Sequence, residues 1–150
     1  MTNDPQEPPI VANPLSLALD HAGVSVSDLE RSIGFYAAVF GFVVDERFAI
    51  PGTSVRGAVV VNPGGARVEL FHREGSRTSP PGHPIDSTLQ QGWFQIAFAV
   101  PDVASAFQRV VAGGATPVKA PFEAPDGRSR VAFVGDPDGN LIELIQRSHA

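Results

Sequence analysis

Apolar residues recur along the chain at spacings that predict two helices. In the first half, Leu29, Ile33, Tyr36 and Phe40 follow one another at three- and four-residue intervals, which is typical of one buried helix face. Ser27 and Asp28 suit the start of this helix, and Gly41 follows where a terminating glycine belongs. The second helix runs from Asp102 to about Ala112 and ends at two glycines. Its buried stripe is Val103, Phe107, Val110 and Val111.

Runs of β-branched and apolar residues bounded by Gly, Pro and Asn predict eight strands around these helices. The first four are Leu17 to Val26, Phe42 to Ala49, Val55 to Val61 and Ala66 to His72. The last four are Trp93 to Val100, Thr116 to Ala120, Ser129 to Val134 and Leu141 to Gln146. Each half of the chain therefore has the order βαβββ.

The two halves are also related in sequence. NPGGARVEL from Asn62 matches DPDGNLIEL from Asp136, and HAGVSVSDL from His21 matches QIAFAVPDV from Gln95 at the same offset of 74 residues. The chain is a tandem duplication, and two copies are too few to form a solenoid. We expect the copies to pack on each other as one α+β domain.

Proline-rich segments without hydrophobic periodicity predict the domain boundaries. Residues 1–14 carry four prolines and are expected to form a flexible arm before a single domain over residues 15–147. Within that domain, module one covers residues 15–72 and module two covers residues 92–147. The proline-rich stretch 73–91 between them is predicted to be a linker that also acts as a rim or lid.

Composition excludes several classes of function. The net charge of −5 over 150 residues and the absence of a basic stripe argue against nucleic-acid binding. The chain has no cysteine, which excludes disulfides and thiolate metal sites. The start has neither a basic segment nor an apolar one, and no apolar run of 18 residues follows, so we expect a cytoplasmic protein without membrane contact.

Strand alternation places four candidate ligands on equivalent faces. Alternate strand residues point to opposite sides, so His21 and Glu69 should share the helix-free face of module one. Gln95 and Glu143 should occupy the same positions in module two. If the two sheets face each other, the four side chains converge across a cleft. One nitrogen and three oxygen donors suit a divalent ion such as Zn, Ni, Co, Mn or Fe(II).

Other residues are weaker candidates. Arg56 and Arg130 are matched by the repeat and are predicted to bind an anionic substrate, although paired surface arginines would give the same pattern. Phe71, Trp93 and Phe94 are expected in the core and the cleft wall, and Phe71 is also a candidate substrate-binding residue. His72 should face away from Glu69 and be structural or exposed. His83 in the linker and His149 near the C-terminus have no partner at ligand spacing, and His83 reaches the cleft only if the linker is a lid.

The stretches LDHAGVSVSDLERSIGFYAAVFGF, ARVELF, FQIAFAVPDV and GDPDGNLIELIQ resemble the vicinal oxygen chelate superfamily. That superfamily contains glyoxalase I, methylmalonyl-CoA epimerases, extradiol dioxygenases, fosfomycin-modifying enzymes and bleomycin-binding proteins. The resemblance covers about residues 17–146. It implies two βαβββ modules that form a cupped mixed sheet around a metal cleft.

The resemblance also implies roles for single residues. His21 matches the first-strand ligand, Glu69 the carboxylate of the first module, and Glu143 the carboxylate that serves as the base in glyoxalase I. Gln95 stands where the family usually has histidine, although some glyoxalases use glutamine in the equivalent strand of the other module. In glyoxalase I the resemblance implies an arginine four residues after the first ligand and an asparagine or similar residue four after the first carboxylate, both serving glutathione. This chain departs from that pattern, with Ser25 and Arg73 at these positions.

Two functions from different classes follow. The first is a metal-dependent lyase or isomerase: the metal is chelated by two neighbouring substrate oxygens and stabilises an enolate-type intermediate, while Glu143, or alternatively Glu69, moves the proton. The second is a metal-free binding or resistance protein of the bleomycin-binding type. A dioxygenase is a third hypothesis, but the candidate site lacks the second histidine of a two-histidine, one-carboxylate iron site. In each case we expect a small-molecule ligand and a homodimer, because the sheets leave long edges.

Overall fold

Each half of the chain forms the expected βαβββ module. The structure is a computed structural model that describes residues 18–77, 84–89 and 91–148. The expected arm at residues 1–14, His83 and His149 lie outside the described residues. Module one comprises β1 Ala22–Ser25, α1 Leu29–Phe40, β2 Val43–Ala49, β3 Val55–Val61 and β4 Arg67–Arg73. Module two comprises β5 Gln95–Ala99, α3 Val103–Ala112, β6 Thr116–Glu123, β7 Ser129–Gly135 and β8 Leu141–Arg147.

The element boundaries differ most from the sequence expectation at the starts of β1 and β5, at the end of β6 and in the expected linker. β1 begins at Ala22, so His21 lies immediately before the strand. β6 continues past Ala120 to Glu123, with irregular pairing along its length. A short helix, α2, occupies Pro84–Ser87 in the expected linker. Four residues are too few to show helical periodicity, which explains why the sequence pattern missed it.

Both main helices begin with the same aspartate cap. Asp28 and Asp102 have nearly identical extended backbone angles, and their carboxylates accept hydrogen bonds from the amides of Arg31 and Ser105 at 3.0 and 2.8 Å. Gly41 ends α1 with φ of 69°, a left-handed conformation that glycine adopts without a steric penalty. Among the described residues, no helix is long and apolar enough to cross a membrane.

The strands form two four-stranded mixed sheets with equivalent orders, β1-β4-β3-β2 and β5-β8-β7-β6. In each sheet the first strand is parallel to the last, and the other pairs are antiparallel. The registers agree as well, since Gly23 pairs with Glu69 and Ala97 pairs with Glu143. The predicted duplication of two βαβββ modules is therefore confirmed, and the alternation of side chains is the same in both.

The helix sides of both sheets share one hydrophobic core. Val68 and Leu70 of β4 and Ile142 and Leu144 of β8 are buried in the same cluster, together with residues of α1 and α3. The contact between modules is aromatic: the ring of Phe98 in β5 lies 5.5 Å from that of Phe40 and 5.8 Å from that of Phe42. The modules thus pack through the sides that carry their helices.

A buried carboxylate in the turn before β8 joins the modules. Asp136 is 2% exposed and accepts hydrogen bonds from the amides of Asp138 and Asn140 and from the Asn140 side chain. Across the module boundary, the hydroxyl of Tyr36 in α1 donates to the same carboxylate at 3.3 Å. Burial and the neighbouring Asp136 raise the pKa of Tyr36 far above its ordinary value, which keeps this donor protonated.

The same turn makes a second contact with module one at its surface. Asp138 accepts hydrogen bonds from the amide and hydroxyl of Ser27 and from the guanidinium of Arg31 at 2.9 Å. Arg31 also donates to the Ser27 hydroxyl. The start of α1 is thereby tied to the turn that leads into β8.

Asp136→Ala should destabilise the protein strongly, because the buried Tyr36 hydroxyl and three partly buried donors of the turn lose their acceptor at once. Each unsatisfied buried donor costs about 1–3 kcal/mol, so we expect a loss of about 3 kcal/mol or more in the free energy of unfolding, measured by urea titration. Tyr36→Phe removes only one donor and should cost about 1 kcal/mol. The matched control is Asn62→Ala, at the equivalent turn, whose bonds to Gly64 and Phe40 stay within module one. Equal losses in all three variants would contradict this role for Asp136.

Candidate metal centre

The first pair of candidate ligands comes together as predicted. His21 precedes β1 and Glu69 lies in the neighbouring β4, and the His21 Nε2 is 3.0 Å from the Glu69 Oε2. Glu69 points away from the helix side, since its neighbours Val68 and Leu70 are buried in the core. His21 is 41% exposed and Glu69 21% exposed, so the pair lies at an accessible face.

The other nitrogen of His21 is also engaged. Its Nδ1 lies 2.8 Å from the Oδ2 of Asp20, the preceding residue. The hydrogen bond to Asp20 is the main cause of a raised pKa of His21, with a smaller contribution from the charge of Glu69. Burial opposes this shift. Asp20 was not among the candidate residues predicted from the sequence. Its position directly before a candidate ligand is the feature that could have identified it.

The second pair repeats the first at the equivalent positions. The side-chain amide of Gln95 at the start of β5 donates to the Oε2 of Glu143 in β8. Glu143 is partly buried, and this desolvation raises its pKa, although the bond from Gln95 acts in the opposite direction. The two pairs therefore share their backbone positions but differ in charge and in environment.

The structure does not bring the two pairs together into one cluster, in contrast to the expected convergence across a cleft. Within the described part of the chain, no three His, Asp or Glu side chains lie close enough to hold one metal. The physical reason is the shared core: the helix sides pack together, so the faces that carry the pairs point away from it. One copy of the chain has two half-sites.

Each half-site has donor chemistry and spacing that fit a divalent ion. Metal–ligand bonds of about 2.0–2.2 Å place neighbouring ligand atoms roughly 3 Å apart, which is the separation of His21 Nε2 and Glu69 Oε2. Gln95 has a carboxamide oxygen that rotation of its terminal amide would present beside Glu143. His21, Glu69, Gln95 and Glu143 are therefore suitable ligands from two half-sites.

Apolar side chains surround both glutamates. Phe71 shares the face of Glu69, and its ring packs edge-on against Phe48 with centroids 5.4 Å apart. Phe48 covers Gly57, where a Cβ atom would clash with the ring. On the Glu143 face, Phe122 stacks on Phe133 at 6.2 Å within a second small cluster.

The two candidate arginines are placed elsewhere. Arg56 pairs with His72 and Arg130 with Gln146, so both arginines lie on the side of their sheet opposite to the glutamates. Side chains alternate between the two faces of a strand, and His72 and Gln146 each lie three residues after the glutamate of their own strand. Arg130 also pairs with Glu123 at 2.9 Å. The structure thus does not join these arginines to the ligand pairs.

His72 and Arg56 instead line the surface beside the start of α1. They border two adjoining cavities of about 460 and 240 Å³. The His72 Nδ1 is 3.3 Å from the carbonyl oxygen of Val26, and the side chain is half-buried. His72 therefore faces away from Glu69, as the alternation predicted.

Trp93 and Leu19 occupy equivalent positions two residues before Gln95 and His21. Trp93 is fully exposed and Leu19 is 91% exposed. The expectation that Trp93 belongs to the core was wrong, because Trp93 lies before β5 begins and its side chain is uncovered in the described structure. Large apolar side chains thus flank both half-sites.

Comparison with known proteins agrees with the fold and its duplication. The chain is 32% identical over 149 residues to the lactoylglutathione lyase of Pseudomonas putida, covering 85% of this chain and 83% of that protein. It is 30% identical to the probable lactoylglutathione lyase of Synechocystis, covering 85% of this chain and 94% of that protein. The crystal structure of glyoxalase I from Zea mays matches with a TM-score of 0.68 and 28% identity, over 87% of this chain and 45% of the maize chain.

The match to a family extends over most of the described residues. Residues 18–144 match the glyoxalase/bleomycin resistance protein/dioxygenase superfamily, and this range includes all four candidate ligands and both modules except the end of β8. The resemblance found in the sequence is thereby confirmed. The chain belongs to the glyoxalase/bleomycin resistance protein/dioxygenase superfamily.

Proposed function

We propose that this protein is a metal-dependent lyase or isomerase that acts on a small substrate with two neighbouring oxygens. The observation that carries the proposal is the pair of equivalent half-sites, each with a glutamate beside a second ligand on an accessible strand face. Relatives named lactoylglutathione lyases support this class of reaction. A cytoplasmic location remains part of the proposal.

The complete site needs both half-sites, and we infer that a second copy of the chain supplies the missing one. Large exposed apolar side chains near a binding face mark protein interfaces, and Leu19 and Trp93 lie beside the two half-sites. In such a homodimer, His21 and Glu69 of one copy would meet Gln95 and Glu143 of the other. The pairs would then form one ligand set of one nitrogen and three oxygens.

Within this set the two glutamates have different roles. A general base works best when its pKa is closer to the working pH, and burial raises the pKa of Glu143. We therefore assign proton transfer to Glu143 and metal binding mainly to His21, Glu69 and Gln95. A bound divalent ion would supply Lewis-acid polarisation of the substrate oxygens. Phe71 and Phe48 would exclude water from the Glu69 side of the site.

The assay that tests this proposal measures lactoylglutathione lyase activity, with the protein loaded in turn with Zn²⁺, Ni²⁺, Co²⁺, Mn²⁺ and Fe²⁺. Relatives named for lactoylglutathione make this the first substrate to try. Ser25 and Arg73 replace the arginine and the asparagine that the family resemblance implies for glutathione binding. Glutathione-free compounds with two neighbouring oxygens therefore form the second arm of the assay.

A second candidate function is metal-free binding of a small molecule. The observation that favours it is the Gln95–Glu143 hydrogen bond, which satisfies the second half-site without any ion. Metal content after purification without chelators separates the two functions. Tight ligand binding by a metal-free protein without turnover would favour the binding protein over the enzyme.

Glu143→Gln and Glu69→Gln should differ in kind. Glu143→Gln is expected to keep most of its metal but to lose turnover by about 10²- to 10⁴-fold, the usual cost of removing a general base. Glu69→Gln should lose metal affinity first, and excess metal should restore part of its activity. Metal titration and steady-state kinetics measure both effects.

The control for these variants is His21→Ala, which removes the one nitrogen ligand and should abolish metal binding. Retention of metal and of turnover in both glutamine variants would overturn the assignment of the site. Equal loss of metal in both would leave Glu143 without a separate role as the base.

Trp93→Ser should weaken the proposed homodimer. A tryptophan that acts as an interface hot spot contributes about 2 kcal/mol or more, so we expect the dissociation constant of the dimer to rise about 30-fold in sedimentation analysis. Metal affinity should fall in parallel if the site is shared. Leu89→Ser is the control. Leu89 is another large apolar residue with high exposure, 85%, but it lies in the segment after α2 and not beside a half-site. A wild-type protein that sediments as a monomer at micromolar concentration would contradict the proposal.

A further inference from the structure

The His21 side chain is held at both ends of its ring. Its Nε2 faces the Glu69 carboxylate at 3.0 Å, and its Nδ1 lies 2.8 Å from the Asp20 carboxylate. The Nδ1 contact with Asp20 has hydrogen-bond geometry, whereas Glu69 acts on the ring only through its charge. A carboxylate only accepts hydrogen bonds, so the hydrogen bond to Asp20 requires a proton on Nδ1. When the imidazole is neutral, this leaves the lone pair on Nε2, on the side of Glu69.

That arrangement is the one a metal needs. A neutral imidazole binds a metal through its unprotonated nitrogen, and the hydrogen bond of the other nitrogen decides which nitrogen that is. Asp20 itself is not placed as a ligand, because it contacts Nδ1 while Glu69 lies beside Nε2. Its effect on a metal would therefore pass through the ring of His21.

The duplication provides an internal comparison. The repeat keeps the helix-capping aspartates at equivalent positions, Asp28 and Asp102, with matching geometry. At the position before the ligand, however, Asp20 in module one is matched by Phe94 in module two. Gln95 has no tautomer to fix, so an aspartate before it would have no comparable task. The ligand and the residue before it differ together.

Neighbouring charges do not explain the contact. Arg67 lies near enough to Asp20 to influence its charge, but the guanidinium of Arg67 forms its ion pair with Asp45 at 3.3 Å. The hydrogen bond of Asp20 is to His21. Asp20 is 74% exposed, so its carboxylate is free of structural burial and its substitution leaves the core intact.

From these observations we propose that Asp20 is a positioning residue that holds His21 in the Nδ1–H tautomer and so presents Nε2 to the metal. The role toward the metal rests on the proposed metal-dependent function, whereas the effect of Asp20 on the tautomer of His21 does not. The tautomer of His21 is a property of the metal-free protein and can be measured without any metal or substrate.

The first experiment is nitrogen NMR of the metal-free, isotope-labelled protein at alkaline pH, where the imidazole is neutral. We expect His21 to carry its proton on Nδ1 in the wild type and to shift toward the Nε2–H form in Asp20→Ala. Asp20→Asn keeps an acceptor oxygen and should retain part of the wild-type preference. Asp45→Ala removes a negative charge near the site but keeps the carboxylate of Asp20, so His21 should keep its proton on Nδ1 as in the wild type.

The second experiment measures Zn²⁺ affinity of the same four proteins by competition with a chelator. Loss of an outer hydrogen-bond partner of a ligating histidine costs about 10- to 100-fold in metal affinity, and we expect about 10-fold for Asp20→Ala because Asp20 is exposed. Asp20→Asn should lose less, and Asp45→Ala should bind Zn²⁺ as the wild type does.

The outcomes separate this inference from the proposed function. An unchanged His21 tautomer in Asp20→Ala overturns the inference whatever the metal affinity is. Equal loss of Zn²⁺ affinity in Asp20→Ala and Asp45→Ala also overturns it, because the effect would then be one of overall charge. If the wild type binds no divalent metal, the proposed function fails, while the NMR result still decides whether Asp20 fixes the His21 ring.

Discussion

The buried carboxylate of Asp136 is the interaction on which the arrangement of the two modules depends. A carboxylate that is 2% exposed requires donors from every side, and three of its bonds come from its own turn. The fourth comes from Tyr36 on the helix of the other module. Satisfying this charge therefore holds α1 of module one against the turn that starts β8, and Phe98 completes the contact with Phe40 and Phe42.

That contact determines where the ligand pairs lie. Because the modules join through their helix sides, the opposite faces of both sheets are left accessible, and those faces carry the His21–Glu69 and Gln95–Glu143 pairs. A strand cannot present one residue to both faces, so burying Val68 and Leu70 obliges Glu69 to point outward. The same constraint holds for Glu143 between Ile142 and Leu144. One core thus produces two separate half-sites.

Duplication made the half-sites equivalent in position, and later sequence differences made them unequal in chemistry. The backbone pairing of Glu69 and Glu143 is the same, yet one glutamate meets an imidazole and the other a carboxamide. Partial burial raises the pKa of the Glu143 carboxyl above its ordinary value. Asp20 stands before His21, whereas Phe94 stands before Gln95. A symmetric scaffold can in this way divide metal binding and proton transfer between two equivalent positions.

The sequence by itself determined the local structure of this protein. Internal similarity at 74 residues, the Asp28 and Asp102 caps and the alternation in the strands were enough for the duplicated βαβββ order and for the face on which each candidate ligand lies. These features depend on neighbours along the chain or in the next strand, which periodicity records. The same alternation places Arg56 and Arg130 on the sheet faces opposite to the glutamates, because Arg56 shares a face with His72 and Arg130 shares one with Gln146.

Only the tertiary structure decided how the modules meet. Whether two amphipathic sheets pack through their helix sides or through their open sides depends on long-range contacts such as Tyr36 with Asp136, which no local pattern encodes. The same is true of the exposure of Trp93, because its hydrophobicity predicts burial unless the fold leaves its position uncovered. The physical reason is that hydrophobic patterning specifies which faces are buried, while the partner of each face is selected by shape and by the few buried polar groups that must be satisfied.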